Sequence, residues 1–192
     1  MAMLPKPGGD SRCVAKTPMV YIMLAIMRRP GVQAWEAQVV QDWDACRPGS
    51  SALDAAYLRG LQVEIATRNG EHSGVILWDF RKFFDNVRLQ LVYDSARALG
   101  FPLIDLVLGL QMHLAPRRLN YNGAVSAQIV TYQSIIAGCA LAISFTKALL
   151  LEPLSQLVAA NTSVDQTVYV DDFSQAAVGN LYDVVSNLAI AG

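Results

Sequence analysis

The chain has 192 residues, of which 53% are hydrophobic, and its formal net charge is −1. This length and composition permit a sizeable core in one domain or in two closely joined subdomains. They exclude a protein that binds nucleic acid through a high overall positive charge, because phosphate neutralisation dominates that kind of affinity. Nucleic-acid contacts would have to come from local basic clusters, and the first thirty residues contain one: Lys6, Arg12, Lys16, Arg28 and Arg29.

Cysteine usage and hydropathy indicate the compartment. Cys13, Cys46 and Cys139 are odd in number, widely spaced and without a Cys-x-x-Cys pair, so we expect neither a disulfide framework nor a zinc site. A reducing intracellular compartment is the default expectation, and the sequence does not distinguish nucleus from cytoplasm. The apolar stretch 135–151 contains Lys147 and several small residues, which favours a buried helix over a membrane span.

The first third of the chain is predicted to be helical after a Pro/Gly-rich loop. Arg29-Pro30-Gly31 and Arg47-Pro48-Gly49 mark breaks between helices, because proline lacks a backbone donor and glycine is permissive. The predicted helices are 17–29, 32–45 and 52–68.

A nearly continuous apolar run, 74–80, follows and contains Asp79 next to its end. Such a run predicts a buried strand that carries one carboxylate to the edge of a sheet. A buried ionised Asp is costly unless it is paired or bound to a metal.

The middle of the chain predicts two helices, a hairpin and a third helix. Helix 87–99 would end at Gly100, and we expect Asp85 to be its N-cap. Asn122-Gly123 is a hairpin signal, since both turn positions need positive φ. We interpret Arg117-Arg118 as ordinary solvated charges, and His72 and His113 lack metal-ligand spacing. The other predicted elements are helix 103–114, strands 118–121 and 125–131, and helix 139–157.

The most informative segment is Tyr169-Val170-Asp171-Asp172. Residues 164–170 alternate as a strand does, and 173–178 offer a return strand, so the two aspartates would lie at a hairpin tip. Asp is common in turns, which is the plainer explanation. Adjacent carboxylates repel each other, however, and together with Asp79 on a neighbouring strand they favour a bound divalent cation. A final helix is predicted over 181–189.

Three segments carry a resemblance to a known family. Asp79-Phe80-Arg81-Lys82-Phe83-Phe84-Asp85 resembles motif A of reverse transcriptases, especially those of non-LTR retroelements and group II introns, and 169–172 resembles their motif C. Between them, 137–147 is similar to motif B, where Gly138 matches and Ala137 and Lys147 replace the usual Gln and Asn. Upstream, 5–12 resembles the fingers segment whose Lys and Arg contact the incoming triphosphate. The order of these segments is the family's order.

The resemblance implies an α+β fold with a palm-like antiparallel sheet packed by helices. It divides the chain into a helical fingers-like segment, 1–73, and a palm-like segment, 74–192. The chain ends at Gly192, so we expect a fingers-palm fragment without a thumb and with little processive synthesis.

The resemblance also implies an activity, RNA-directed DNA polymerisation by a retroelement enzyme. Two Mg²⁺ ions, or Mn²⁺, would be bound by Asp79, Asp171 and Asp172, and these residues would carry catalysis. The substrates would be deoxynucleoside triphosphates and an RNA or DNA template with a primer. The implied nucleotide-binding residues are Lys6, Arg12, Phe84 and Gly138.

Two other interpretations stay open. The chain could be a catalytically inactive retroelement remnant, which the divergence of 137–147 favours. It could also be another metal-dependent phosphoryl-transfer enzyme, such as an RNA-templated RNA polymerase, because these enzymes share the palm carboxylates. A glycine before the paired aspartates would favour the RNA polymerase, and Val170 stands there instead.

Overall fold

A computed structural model of the chain describes residues 2–5, 11–14 and 16–192, the first two ranges by their backbone alone. The described residues form seven helices and seven strands, so the predicted α+β class is confirmed. None of these helices is long and apolar enough to cross a membrane. The helices are α1 (Met19–Val39), α2 (Ala52–Arg68), α3 (Phe83–Asn86), α4 (Leu89–Ala98), α5 (Leu103–Leu114), α6 (Ala142–Ala160) and α7 (Leu181–Ala191). The strands are β1 (Ala2–Pro5), β2 (Ser11–Val14), β3 (His72–Asp79), β4 (Asn120–Tyr121), β5 (Ala124–Val125), β6 (Asp165–Tyr169) and β7 (Asp172–Gly179).

The chain divides into two compact units that interleave along the sequence. The first consists of Met1–Gln38 with Lys82–Leu149, and the second of Val39–Arg81 with Leu150–Gly192. Helix α6 contributes its first part to one unit and its second part to the other. The assignment of fingers to 1–73 and palm to 74–192 stays a prediction.

The second unit is built on an antiparallel sheet with the strand order β3-β7-β6. One face packs against α7, and the approach is close at Gly74, where a Cβ atom would lie 2.7 Å from Leu188 Cδ1. The fully buried Gln175 of β7 connects the sheet to α7. It accepts a hydrogen bond from Trp78 Nε1 of β3 (2.7 Å) and donates one to the Ala191 carbonyl of α7 (3.1 Å). The apolar residues of this core include Val164, Ala177, Val184, Leu188 and Ala191, and a second cluster contains Leu154, Val168 and Phe173.

Strand β3 is an edge strand, so the expectation that it is buried was wrong. Within the described chain it pairs with β7 alone, and Leu77 on it is 77% exposed. A continuous apolar run predicts burial on both faces, but it does not reveal how many strands flank the run. Because Asp79 is exposed, the cost of burying a charge gives no reason to expect an ion-pair partner or a metal there.

In the first unit, α1 continues through Pro30, so the predicted helix break there was also wrong. Contacts on both sides of the proline hold the helix. Arg28 Nε and Nη2 donate to the two carboxylate oxygens of Asp105 (2.7 and 2.9 Å), and Trp35 Nε1 donates to the Leu99 carbonyl (2.9 Å). We infer that these tertiary contacts outweigh the one backbone hydrogen bond that a proline removes.

Local signals were more reliable in the rest of this unit. Helix α5 has the predicted bounds, and Gly100 ends α4 with a φ of +69°. Asn122 and Gly123 both have positive φ and join β4 to β5, as predicted. Asp85 is not the N-cap of α4, because it lies inside the short helix α3 and α4 begins only at Leu89.

Candidate active site

The β6–β7 hairpin ends in a two-residue loop, Val170-Asp171. Val170 has a φ of +62°, a conformation that hairpin loops of this length usually give to Gly, Asn or Asp. A β-branched residue in this region is strained, and strain of this kind concentrates at functional sites. The loop is therefore an unusual one, and its second residue is one of the predicted aspartates.

The sheet register brings the other two predicted carboxylates together. Asp172 is the first residue of β7, and its direct neighbours are Asp79 at the end of β3 and Tyr169 at the end of β6. Residues directly opposite each other in an antiparallel pair share a face, with Cβ atoms about 4.5–5.5 Å apart. Asp79 and Asp172 are both exposed, and Asp171 precedes Asp172 in the loop.

This arrangement has an electrostatic consequence. Like charges directly opposite each other on neighbouring strands are destabilising, and a cation between them removes the repulsion. The described residues contain no group of three or more His, Cys, Asp or Glu side chains that could hold a metal by themselves. Mg²⁺ commonly binds through only one or two carboxylates, with waters and substrate phosphates as its other ligands. The donor set at this tip therefore fits Mg²⁺.

Arg59 of α2 supports the same face of the hairpin. Its Nη2 donates to Thr167 Oγ1 (2.7 Å) and to Ser174 Oγ (3.4 Å), and its Nη1 donates to Asp165 Oδ2 (2.9 Å). Thr167 and Ser174 are opposite each other, one same-face pair before Tyr169 and Asp172. The Arg59 side chain is only 12% exposed. Sequence reasoning missed this residue, because nothing in its own helix marks it.

The predicted nucleotide-binding residues lie elsewhere in the chain. Phe84 belongs to the first unit, where its ring is half-buried against Phe83 and its carbonyl accepts a hydrogen bond from the Ile135 amide (2.8 Å). Gly138 has a φ of +88°, which a residue with a side chain would adopt only with strain. Lys6 and the side chain of Arg12 lie outside the described residues.

Two further polar residues of the first unit are wholly or partly buried. His113 is fully buried, and its Nδ1 accepts a hydrogen bond from the Ile136 amide (2.9 Å). Burial, with the charge of Arg117 as a second cause, lowers the pKa of His113 to about 4. The interpretation of Arg117 as a solvated charge was wrong, because its Nη2 donates to the His113 carbonyl (2.6 Å) and it is half-buried.

Comparisons with known proteins identify the fold. No protein-family model matches the chain, and no curated protein matches it. Among solved structures, apo telomerase from Candida tropicalis, truncated from its C-terminal domain, matches with a TM-score of 0.59 and 14% sequence identity. The fold is reverse-transcriptase-like. The match covers 98% of this chain but 45% of the telomerase chain, so this chain spans less than half the length of that relative. At this identity the likeness establishes the fold alone.

Proposed function

We propose that this chain is a reverse transcriptase domain of a retroelement, an RNA-directed DNA polymerase of the non-LTR or group II intron kind. The observation that carries the proposal is the opposition of Asp79 and Asp172 at the tip of the sheet. These residues come from two separate motif-like segments, and the fold that brings them together is reverse-transcriptase-like.

The proposed chemistry is nucleotidyl transfer to a primer. Two bound Mg²⁺ ions, or Mn²⁺, would favour the deprotonated primer 3′-hydroxyl and would stabilise the charge on the leaving pyrophosphate. Asp79 and Asp172, which the sheet register places opposite each other, would hold these ions together with water and substrate phosphates, and the motif resemblance adds Asp171 as a ligand. Because Asp79 and Asp172 are exposed, a primer end and a triphosphate can approach them from solvent.

The proposal also names residues for nucleotide selection. We assign the deoxynucleoside triphosphate to Lys6, Arg12, Phe84 and Gly138, as the motif resemblance suggests. A bulky ring such as that of Phe84 next to the sugar would exclude a ribose 2′-hydroxyl. The template would be RNA or DNA, paired to a primer.

The direct test is addition of one deoxynucleotide to a DNA primer on an RNA template in the presence of Mg²⁺. Asp79→Asn and Asp172→Asn should each lower the rate at least about a hundredfold, since each weakens binding of the cations that stabilise the negatively charged transition state. Asp94→Asn is the matched control, because Asp94 is an exposed residue of α4.

Three outcomes of this assay separate the interpretations. Addition that depends on both aspartates and prefers deoxynucleotides supports a reverse transcriptase. Addition of ribonucleotides with the same dependence would indicate an RNA-templated RNA polymerase. Absence of any addition by the wild-type chain, with cation binding intact, would indicate a catalytically inactive remnant.

A further inference from the structure

The first unit contains a small cavity with an unusual concentration of positive charge. Its volume is about 190 Å³, and its lining includes Lys16, Arg117, Arg118 and the hydroxyl-bearing Thr17. No Asp or Glu lines it, although the whole chain has 16 acidic and 15 basic residues. The rest of its wall is apolar.

Arg117 is a fixed and partly desolvated cation at this cavity. Its Nη2 is held by the carbonyl oxygens of His113 (2.6 Å) and Ser134 (3.4 Å), and its Nε is buried without a hydrogen-bond partner among the described residues. Neither carbonyl neutralises the charge, and no carboxylate of the described chain forms an ion pair with it. A buried donor without a partner calls for an explanation, and a bound anion or water is one.

The pKa values of Arg117 and His113 are lowered, chiefly by burial. Burial lowers the pKa of Arg117, and the charge of Asp85 offsets this in part without lining the cavity. The charge of Arg117 in turn contributes to the low pKa of His113, after burial. Positive charge that is incompletely compensated in a partly buried site attracts an anion.

We propose that the Lys16–Arg117–Arg118 cavity binds one phosphate group of a polynucleotide. Guanidinium and ammonium groups are the side chains that recognise phosphate. The cavity is smaller than the roughly 300–1,000 Å³ pockets that enclose drug-sized ligands, so it suits a single phosphate and not a whole nucleotide. The phosphate site is inferred from the cavity alone. Its assignment to a polynucleotide rests on the proposed function.

The first test measures the salt dependence of binding to a fluorescently labelled single-stranded oligonucleotide. The double variant Lys16→Gln/Arg118→Gln removes two cations of exposed residues, and circular dichroism of the variant checks that it folds. We expect the slope of log Kd against log salt concentration to decrease by about 0.7 for each phosphate of the single strand that the variant no longer neutralises. Arg97→Gln, which removes an exposed charge of α4 that does not line the cavity, should leave the slope unchanged.

The second test uses inorganic phosphate and isotope-labelled protein. Phosphate should shift the backbone amide resonances of Thr17 and of residue 118 in the wild type, and should shift them much less in the double variant, which keeps only Arg117 of the three cations. If phosphate shifts neither residue and the double variant keeps the wild-type salt slope, the site is overturned, whatever the polymerase assay shows. If phosphate binds but no oligonucleotide does, the polynucleotide source is overturned and the anion site stands.

Discussion

The positions of Asp172 and Val170 in the fold each lower the stability of the native state. Asp172 lies opposite a second carboxylate, and Val170 has a backbone conformation that suits glycine. A fold optimised for stability alone would contain neither feature. Both lie at the hairpin tip where the sequence resembles a catalytic motif, so we interpret the cost as one that the site requires.

His113 gives a prediction about pH. The native state keeps this side chain neutral down to about pH 4, whereas the unfolded chain takes up the proton near pH 6.5. The unfolded state therefore binds more protons between these values, and the free energy of unfolding must fall as the pH falls from 6.5 to 4. The loss is roughly 3 kcal/mol, at 1.36 kcal/mol for each pKa unit. Urea denaturation at a series of pH values measures it.

The control for this prediction is a pair of substitutions. His113→Asn keeps an acceptor for the Ile136 amide and removes the titrating ring, so it should flatten the dependence over this pH range. His72→Asn removes the exposed second histidine and should leave the dependence in place. A His113→Asn protein with the full wild-type pH dependence would show that other groups cause it.

At the scale of secondary-structure elements, α2 and the β6–β7 hairpin are joined through Arg59. We expect Arg59→Met to lower the free energy of unfolding by about 2 kcal/mol, because a hydrogen bond from a charged group contributes about 1.5–3 kcal/mol and Thr167 loses its donor, whereas Asp165 keeps the bond from Gln62. We also expect weaker Mn²⁺ binding, since Thr167 and Ser174 precede the carboxylate pair on the same face. Denaturation and a metal titration measure the two effects.

The same helix provides the matched control. Arg68 forms an ion pair with Glu64 one turn away, and both side chains are more than half exposed. Because exposed pairs contribute little, Arg68→Met should change stability by less than about 0.5 kcal/mol and should leave metal binding unchanged. Equal effects of the two substitutions would mean that Arg59 does not position the hairpin.

Elements whose signals are local could be predicted from the sequence. The Asn122-Gly123 turn follows from positive φ, and the β6–β7 hairpin follows from alternation around two aspartates. Elements that depend on distant partners could not. The continuation of α1 through Pro30 depends on Asp105 and Leu99, and the exposure of β3 depends on how many strands pair with it.

At the scale of the whole molecule, the sequence predicted that the motif A-like and motif C-like segments would meet. It did not predict which of the two adjacent aspartates would lie opposite Asp79, because register is a property of the folded sheet. In the structure that residue is Asp172, and Asp171 lies in the loop. Nor could it find the Lys16–Arg117–Arg118 cavity, because Lys16 is far from the two arginines in the chain. Both sites are formed by residues that only the fold brings together.

The carboxylates at the hairpin tip should bind a divalent cation, and a Mn²⁺ titration followed by electron paramagnetic resonance tests this most directly. The wild-type chain should bind Mn²⁺, and Mg²⁺ should displace it. Loss of a residue that only hydrogen-bonds to a metal ligand costs about 10–100-fold in metal affinity. Loss of a ligand should cost no less, so Asp172→Asn should weaken Mn²⁺ binding at least about tenfold. Asp94→Asn should leave Mn²⁺ binding unchanged. Equal Mn²⁺ affinity of the wild-type and Asp172→Asn proteins would contradict a cation site at this tip.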